Sequence, residues 1–376
     1  MKQLLIAFLF AASLVSAKAG ATGISEVPKT LAIGSAAPDF TLKGVDDKSY
    51  SLASFRDARV LAIVFTCNHC PTAQAYEGRI KQMVSDYASK GVAVVAISPN
   101  SVQGLRLDEL GYTDVGDSFE DMKIRARDDK FNFPYLYDGE TQEVSRAYGP
   151  VATPHIFIFD AQRKLRYQGR IDDTEDQRKT PRNTDARNAI DALLSGGEVP
   201  VTTTKVFGCS TKWAEKSEWV KKEDEDWAKR PVKLETIDAT GIKELLKNNS
   251  DKLRLINIWA TWCGPCVTEF PEFVIMSKMY TLRDFEFISI SADNSDKREK
   301  VLGFLKDKQS AGKNYIFKGD DKYKLIEAVD PGWAGGLPYT ILVEPGGKIV
   351  YAQQGRINPL EMRRRIVEHP LIGRTY

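Results

Sequence analysis

The chain has 376 residues, of which 42% are hydrophobic and 28% are charged, and its formal net charge is only +2. This length is too great for one ordinary hydrophobic core, so we expect two domains. The balanced charge is typical of a globular protein and argues against a strongly basic surface for nucleic acid or anionic lipid.

The first residues have the pattern of a secretory signal. A positively charged start precedes an apolar run from Leu4 to Val15, and the small residues Ala17 and Ala19 mark a cleavage site. The apolar run is shorter than the about twenty residues that a membrane-spanning helix needs. We therefore expect residues 1–19 to be removed and the mature protein to be periplasmic or secreted. Retention of this segment as a membrane anchor is the alternative.

The first half of the chain has the pattern of an α/β domain, which we place at residues 30–200. Three continuous apolar runs predict strands that are buried on both faces: Val60–Phe65, Val92–Ile97 and His155–Phe159. A helix is predicted from Pro71 to about Ser89, because proline is tolerated in the first turn of a helix. The polar insert between the last two strands predicts a further helix over 119–127.

A change in composition after residue 196 predicts a linker over residues 201–232. Trp213, Val220 and Trp227 recur at seven-residue spacing in this charged stretch, which puts them on one face of a helix. We expect that face to dock on a neighbouring domain. Recruitment of a partner protein is the alternative.

The second half, residues 233–376, repeats the plan of the first. Four runs predict strands: Leu253–Trp259, Phe285–Ser291, Tyr339–Val343 and Ile349–Gln353. The last two strands are predicted to form a hairpin. Helices are predicted from Cys263 to about Met279 and from Pro359 to about His369. The chain as a whole is therefore predicted to be α/β.

Each half carries one Cys-x-x-Cys motif directly after an apolar run, at Cys67–Cys70 and at Cys263–Cys266. At a junction of strand and helix, one sulfur lies at the helix N-terminus, where the macrodipole and free N–H groups favour the thiolate. That thiolate can attack a disulfide, and the neighbouring thiol can close the ring again. In an exported protein, such a motif can also be a structural disulfide or part of a metal site. A zinc site on the first motif and His69 would need further ligands from elsewhere in the chain.

The second motif resembles the TlpA-like reductases of the thioredoxin superfamily. The resemblance rests on the run from Trp259 to Cys266, followed by Glu269-Phe270-Pro271, and it covers residues 233–376. It implies that Cys263 is the exposed nucleophile, that Cys266 is the resolving thiol, and that Glu269 is an acid that helps proton transfer.

Three further residues are predicted to support this centre. Pro265 holds the turn between the sulfurs, and Trp262 offers a flat apolar surface beside them. Pro338 stands where the resembled family places a cis-proline that faces the disulfide. A cis-proline at the start of a strand presents backbone to an extended substrate.

Residues 30–200 resemble the redoxin branch of the same superfamily, the peroxiredoxin-like proteins. The resemblance rests on three short motifs: Ala37-Pro38-Asp39-Phe40, Phe65-Thr66-Cys67 and Thr153-Pro154. The peroxidatic signature Pro-x-x-x-Thr-x-x-Cys is absent, since Val64 and Val60 stand at its Thr and Pro positions before Cys67. Cys70 provides a local resolver, so we expect Cys67 to be the accessible thiol that attacks and Cys70 to resolve. Both halves are thus predicted to be thioredoxin-like domains with a central mixed β-sheet flanked by helices.

The residues between the cysteines predict different redox potentials for the two centres. His69 adds a hydrogen-bond donor and a positive charge that would stabilise the Cys67 thiolate, and a stabilised thiolate makes a disulfide more oxidising. We therefore predict that electrons flow from Cys263 and Cys266 toward the first centre, or that each centre serves separate substrates. The alternative for His69 is an ordinary exposed loop residue.

The fifth cysteine, Cys209, lies in the predicted linker within Phe207-Gly208-Cys209-Ser210. With five cysteines, two motif pairs leave one thiol over, which is unusual in an exported protein. It is either a buried or idle thiol or a third exchange station between the domains.

Together these features predict an exported thiol:disulfide oxidoreductase that acts as a reductase. We expect no organic cofactor and no metal, because the redox-active disulfides carry the electrons. The family resemblance implies protein disulfide clients, such as apocytochrome c or misoxidised proteins, and a membrane thiol electron donor. Two rival functions are a thiol peroxidase, whose first domain is regenerated by the second, and a non-catalytic chaperone or adaptor.

Overall fold

The computed structural model describes residues 28–319 and 321–374. The predicted signal sequence, residues 1–19, lies outside the described residues. Within the described ranges, every helix is too short or too polar to cross a membrane.

The first domain is built on a mixed seven-stranded sheet. The strands described in this half of the chain are β1 (Thr41–Gly44), β2 (Ser49–Ser51), β3 (Val60–Phe65), β4 (Val92–Ser98), β5 (Tyr135–Tyr137), β6 (Ala152–Thr153), β7 (His155–Phe159), β8 (Leu165–Gly169) and β9 (Cys209–Ser210). The sheet has the order β2-β1-β5-β4-β3-β7-β8, and β6 pairs separately with β9. Strand β3 lies parallel to β4 and antiparallel to β7, and all its residues are buried. The three predicted strands are thus confirmed.

Helices cover both faces of this sheet, which explains the unbroken apolar runs of its central strands. The helices described up to the linker are α1 (Pro71–Tyr87), α2 (Phe119–Asp128), α3 (Glu143–Tyr148), α4 (Asp185–Leu194) and α5 (Ser217–Ala228). The predicted helices at Pro71 and Phe119 are confirmed. Ser118 begins α2, because its hydroxyl accepts a hydrogen bond from the Asp121 N–H.

The second domain contains a mixed six-stranded sheet with helices on both faces. Its described strands are β10 (Glu235–Ile237), β11 (Leu253–Trp259), β12 (Phe285–Ser291), β13 (Lys313–Phe317), β14 (Tyr339–Val343) and β15 (Ile349–Gln354), in the order β10-β13-β12-β11-β14-β15. Its described helices are α6 (Ala239–Lys247), α7 (Gly264–Met279), α8 (Arg298–Asp307), α9 (Lys322–Val329) and α10 (Pro359–Glu368). Strand β11 lies parallel to β12 and antiparallel to β14. The predicted mixed sheet and the β14–β15 hairpin are confirmed.

The linker docks on both domains, but its tryptophans do not share one helical face. Trp213 precedes α5 in an extended conformation, so the prediction of a common face is wrong. Its ring lies 5.0 Å from the guanidinium of Arg146 in the first domain. Trp227 packs on the second domain, where its indole N–H donates to the Gln309 carbonyl at 3.0 Å. Trp219, between them, is 70% exposed.

The two domains also contact each other directly through the polar insert of the first domain. Leu110 belongs to the apolar cluster that contains Tyr280 of the second domain. The Tyr280 hydroxyl donates to the Thr113 carbonyl at 3.2 Å, and Arg283 donates to the Gly111 carbonyl at 2.9 Å. The insert is therefore a shared part of both domains.

Asp114 provides the charged part of this interface. Asp114 is only 2% exposed. Its carboxylate accepts hydrogen bonds from Arg364 at 3.0 Å and from Arg374 at 2.6 Å. Burial alone would raise the pKa of Asp114, but the two arginines outweigh it and hold this pKa below its usual range. The interface therefore depends on an ionised carboxylate.

We expect Asp114→Ala to lower the free energy of unfolding by about 2 kcal/mol at neutral pH, because two arginines lose their buried partner. Because the folded-state pKa is lowered, the contribution is present above the ordinary carboxyl pKa and is lost as the pH falls through the folded-state value. Urea unfolding of the full chain measures this loss. Asp128→Ala is the matched control, since Asp128 also binds Arg364 but is more exposed. Equal losses in both variants would contradict the assignment.

Candidate active site

In the second centre, the first cysteine begins the helix. Cys263 is the N-cap of α7, and Pro265 occupies its first turn. Cys263 and Cys266 are joined in a disulfide, and the Cys266 N–H donates to the Cys263 sulfur at 3.3 Å. Cys263 is only 6% exposed, whereas the adjacent Trp262 is 65% exposed. The expectation of an openly accessible sulfur is therefore wrong in this disulfide state, because Cys263 belongs to the apolar cluster that Leu337 also contacts.

Pro154 and Pro338, the two prolines that directly precede a predicted strand, both have cis peptide bonds. These are Leu337–Pro338, before β14, and Thr153–Pro154, before β7. The cis geometry that the family resemblance implied at Pro338 is thus confirmed. The first domain has the same feature at Pro154.

Glu269 is a buried acid on the helix of the second centre. It lies three residues after Cys266, so the two side chains share one helix face. One of its oxygens accepts the Ile357 N–H at 3.0 Å, and the other accepts the Asn257 amide at 3.4 Å. Burial raises the pKa of Glu269 to about 7, against these hydrogen bonds and the charge of Arg356. Such a group can accept or release a proton near neutral pH.

The supporting residues of Glu269 were not found from the sequence. Asn257 is a polar residue within the otherwise apolar last half of β11, and this break in the apolar run could have indicated a functional residue. Ile357 contributes only its backbone, which no side-chain pattern reveals.

Replacing the carboxyl group of Glu269 should reduce the pH dependence of the free energy of unfolding. The folded protein holds the Glu269 proton more tightly than the unfolded chain, so its stabilising contribution is full below about pH 4.5 and is lost as the pH rises through about 7. Urea unfolding at about pH 5 and about pH 8 should therefore show a smaller difference for Glu269→Gln than for the unaltered chain. Glu272→Gln, on the same helix, is the control. An unchanged difference in Glu269→Gln would refute the raised pKa.

In the first centre, the second cysteine begins the helix. Cys70 is the N-cap of α1, where its sulfur accepts the Ala73 N–H at 3.5 Å and Pro71 takes the first helical position. Cys67 lies four residues before the first helical residue, with its sulfur 3.1 Å from the Thr153 hydroxyl. Cys67 is 2% exposed and Cys70 is fully buried. The predicted accessibility of Cys67 is therefore wrong.

The acidities of the two thiols are also the reverse of the prediction. Burial opposes the charged form of Cys70, but hydrogen bonds from Cys209 and Cys67 and the charge of His69 lower the pKa of Cys70 well below its usual value. Burial, the hydrogen bond to Cys70 and the charge of Asp117 raise the pKa of Cys67. The physical reason is the register of the helix, which begins after the second cysteine rather than the first. The N-cap position and these hydrogen bonds favour the charged form of Cys70 over that of Cys67.

His69 is part of a buried ion pair. Its Nδ1 lies 2.6 Å from a carboxylate oxygen of Asp117, and the other oxygen accepts the N–H groups of Asn68 and His69 at 2.9 and 3.0 Å. Burial acts to lower the pKa of His69, but the Asp117 charge outweighs it and raises this pKa. His69 is 1% exposed, so the alternative of an exposed loop residue is wrong.

Asp117, the partner of His69, was missed by the sequence reasoning. It lies 48 residues further along, inside the polar insert, and the local sequence gives no signal of the contact. Asn100 donates to it at 2.7 Å from the end of β4. Thr153, which touches the sulfur of Cys67, was quoted only as part of a motif.

Cys67, His69 and Asp117 bring three donor atoms within 4.8 Å of one another. This set is short of the four ligands of a zinc site. Both oxygens of Asp117 already accept hydrogen bonds from buried protein groups. The cluster is better explained as an ion pair that stabilises a thiolate.

Two family models match the chain in turn. The AhpC/TSA family model matches residues 33–168, and the Redoxin model matches residues 229–366. Together with the fold and the two strand–cysteine–helix junctions, these matches identify the chain as a member of the thioredoxin superfamily with two redoxin-type domains.

Three curated relatives are similar to part of the chain. Thiol-disulfide oxidoreductase ResA of Bacillus subtilis is 30% identical over 118 residues, which are 31% of this chain and 62% of the relative. Thiol:disulfide interchange protein HelX of Rhodobacter capsulatus is 28% identical over 145 residues, 38% of this chain and 74% of the relative. Thiol:disulfide interchange protein DsbE of Escherichia coli is 29% identical over 105 residues, 28% of this chain and 51% of the relative. The chain thus spans less than two thirds of the ResA relative.

Two solved structures are similar to half of the chain. A hypothetical protein of Sinorhizobium meliloti is 33% identical and has a TM-score of 0.44, covering 50% of this chain and 97% of its own. An uncharacterized conserved protein of Geobacillus kaustophilus is 37% identical with a TM-score of 0.44, covering 50% and 94%.

We expect Asp117→Asn to raise the pKa of Cys70, because His69 loses the charge that keeps it protonated. The ultraviolet absorbance of the thiolate, followed against pH in the reduced full chain, measures this pKa. Replacing both Cys263 and Cys266 by serine removes the absorbance of the other centre.

The matched control is Asp121→Asn, since the Asp121 carboxylate lies in the same insert but binds Ser118. An unchanged titration of Cys70 in Asp117→Asn would show that the ion pair does not act on the sulfur.

Proposed function

We propose that the protein is a thiol:disulfide oxidoreductase that exchanges disulfides with protein clients through its two Cys-x-x-Cys centres. One observation carries the proposal. In each half, a cysteine sulfur caps the helix that follows a buried strand, and each half has a cis-proline before a neighbouring strand. The names of the curated relatives, thiol-disulfide oxidoreductase and thiol:disulfide interchange protein, support the same reaction.

In the second centre, the proposed reaction begins when reduced Cys263 attacks a client disulfide as a thiolate. One client sulfur leaves as a thiolate, and the other forms a mixed disulfide with Cys263. Glu269 takes the proton of Cys266, which then attacks Cys263 and releases the second client thiolate. Two electrons pass to the client, and the Cys263–Cys266 disulfide forms. An external dithiol must reduce this disulfide again.

The first centre is proposed to be the more oxidising of the two. Its buried ion pair and the N-cap position of Cys70 stabilise the reduced thiolate, which makes a disulfide easier to reduce. The Cys263 motif has no charged residue between its cysteines. Electrons would therefore flow from the second centre to the first, or each centre would serve its own substrates. A difference of about 30 mV corresponds to about 1.4 kcal/mol for two electrons.

The cellular setting is part of the proposal. The signal-like start supports export to the periplasm or an equivalent compartment. The sulfurs themselves carry the electrons, so no organic cofactor and no metal is needed. A membrane thiol protein would supply the electrons, and clients such as apocytochrome c or misoxidised proteins would receive them.

The function is tested with the full chain, a disulfide-bonded protein substrate and an external dithiol. We expect the Cys263→Ser, Cys266→Ser double variant to lose at least about a hundredfold of the substrate reduction rate, because neither attack nor resolution remains in that centre. The single variant Cys266→Ser should accumulate a mixed disulfide with the substrate, which gel electrophoresis without reductant detects. Trapped clients can then be identified by mass spectrometry.

An unchanged substrate reduction rate in the chain that lacks all four motif cysteines would contradict the proposal and favour the non-catalytic adaptor.

The match to the AhpC/TSA family model keeps the peroxidase as a second candidate. Peroxide turnover that is lost in Cys70→Ser and survives in Cys67→Ser would favour it, because the lowered pKa of Cys70 favours that sulfur as the attacking thiolate.

A further inference from the structure

A segment of the predicted linker occupies the cis-proline edge of the first centre. Strand β9 pairs antiparallel with β6, so that Cys209 lies opposite Thr153 and Ser210 lies opposite Ala152. Thr153 immediately precedes the cis-proline, Pro154. This is the edge on which an extended client peptide would add as a strand. The chain's own segment is already paired there.

The local sequence is suited to this close approach. A Cβ atom at Gly208 would lie 2.1 Å from the Thr153 carbonyl oxygen, and Gly208 has a φ of +135°, which side chains disfavour. The preceding Phe207 packs against the core of the first domain, with its ring 6.2 Å from that of Tyr76. The following Thr211 donates to the Pro150 carbonyl at 2.9 Å. The segment 207–211 is therefore a docked part of the first domain.

The docking brings three sulfurs together. The Cys209 N–H donates to the Cys70 sulfur at 3.3 Å. Cys67, Cys70 and Cys209 belong to one small cluster. Cys67 and Cys70 are buried, whereas Cys209 is partly exposed. Cys209 is thus the least buried residue of this cluster.

We propose that Cys209 is a third redox thiol of the first centre, which exchanges with outside dithiols through a Cys70–Cys209 disulfide. The proposal rests on the thiol:disulfide exchange proposed above. Its basis is the geometry: Cys209 lies opposite Thr153 on the strand edge beside Pro154, and its N–H contacts the Cys70 sulfur directly. It also assigns a role to the odd cysteine.

The exchange is balanced without a further oxidant. The Cys209 thiolate attacks the Cys70 sulfur of the Cys67–Cys70 disulfide, so the Cys70–Cys209 bond forms while the Cys67–Cys70 bond breaks. Cys67 leaves as a thiolate and takes up the proton that Cys209 released. An outside dithiol then attacks Cys209, and Cys70 leaves as a thiolate. The second thiol of that donor attacks the donor sulfur bonded to Cys209, so the donor disulfide closes and Cys209 leaves as a thiolate. Two electrons have then entered the three-thiol cluster.

The first experiment maps the disulfides of the full chain in which Cys263 and Cys266 are both serine. After oxidation with diamide, the protein is quenched with acid, alkylated, digested and analysed by mass spectrometry. We expect a Cys70–Cys209 peptide beside the Cys67–Cys70 peptide, and Cys67→Ser should leave Cys70–Cys209 as the main species. A chain that forms only Cys67–Cys70, and no Cys70–Cys209 in Cys67→Ser, would overturn the proposal.

The second experiment measures how fast dithiothreitol reduces the oxidised first centre in the same background. We expect Cys209→Ser to slow this reduction by about tenfold or more, because the remaining disulfide is buried. The matched control is Cys209→Ser combined with Ser210→Cys. It keeps a thiol in the segment but moves it to the opposite face of the strand, so it should be as slow as Cys209→Ser alone. Equal rates in the background chain and in Cys209→Ser would refute the relay.

Failure of the relay and failure of the parent function give different results. If the first centre exchanges at the same rate without Cys209, the relay is wrong while thiol exchange stands. If neither centre of the chain with all five cysteines reduces a protein disulfide, the proposed function itself is wrong. Circular dichroism of each variant checks that the fold is retained.

Discussion

The chemistry of both centres depends on where each α-helix begins relative to its two cysteines. The first N–H groups of a helix need an acceptor, and a sulfur that accepts them is stabilised as a thiolate. In the second domain that sulfur belongs to Cys263, because the helix begins at Gly264. In the first domain it belongs to Cys70, because the helix begins at Pro71. The helix is therefore capped by the first cysteine of the motif in the second domain and by the second cysteine in the first domain. The two motifs also differ in the position of one proline, since Pro265 lies between the cysteines and Pro71 follows them.

The polar insert of the first domain connects this chemistry to the assembly of the two domains. Asp117 holds the charge of His69 beside the first centre, and Asp114, three residues earlier, binds two arginines of the second domain. Tyr280 donates to the carbonyl of the neighbouring Thr113. One short stretch of backbone thus contributes both to the electrostatics of a thiolate and to the packing between domains.

Much of the fold could be predicted from the sequence, since buried central strands are continuous apolar runs. The bounds of Val60–Phe65 and Leu253–Trp259 agree with the predicted ones residue for residue. The helical face expected for Trp213 was wrong, because a seven-residue spacing carries no information about where a helix starts. In this chain the helix starts after Trp213, at Ser217.

The candidate sites were predictable only as far as local sequence reaches. The cysteines, Glu269 and Pro338 follow from short motifs, whereas the contact of His69 with Asp117 spans 48 residues and that of Cys70 with Cys209 spans 139 residues. The accessibility and acidity of Cys67 were wrongly predicted for the same reason. Both depend on groups that the fold brings in from distant segments.

The pairing of β9 with β6 also affects how the first domain behaves when it is separated from the rest of the chain. A fragment that stopped at residue 200 would lack β9 and would leave the backbone groups of Thr153 and Ala152 unpaired at a strand edge. Unpaired edges are templates for pairing with other chains, so such a fragment would tend to self-associate. In the full chain, the linker segment therefore covers a strand edge that would otherwise offer its backbone groups to another chain.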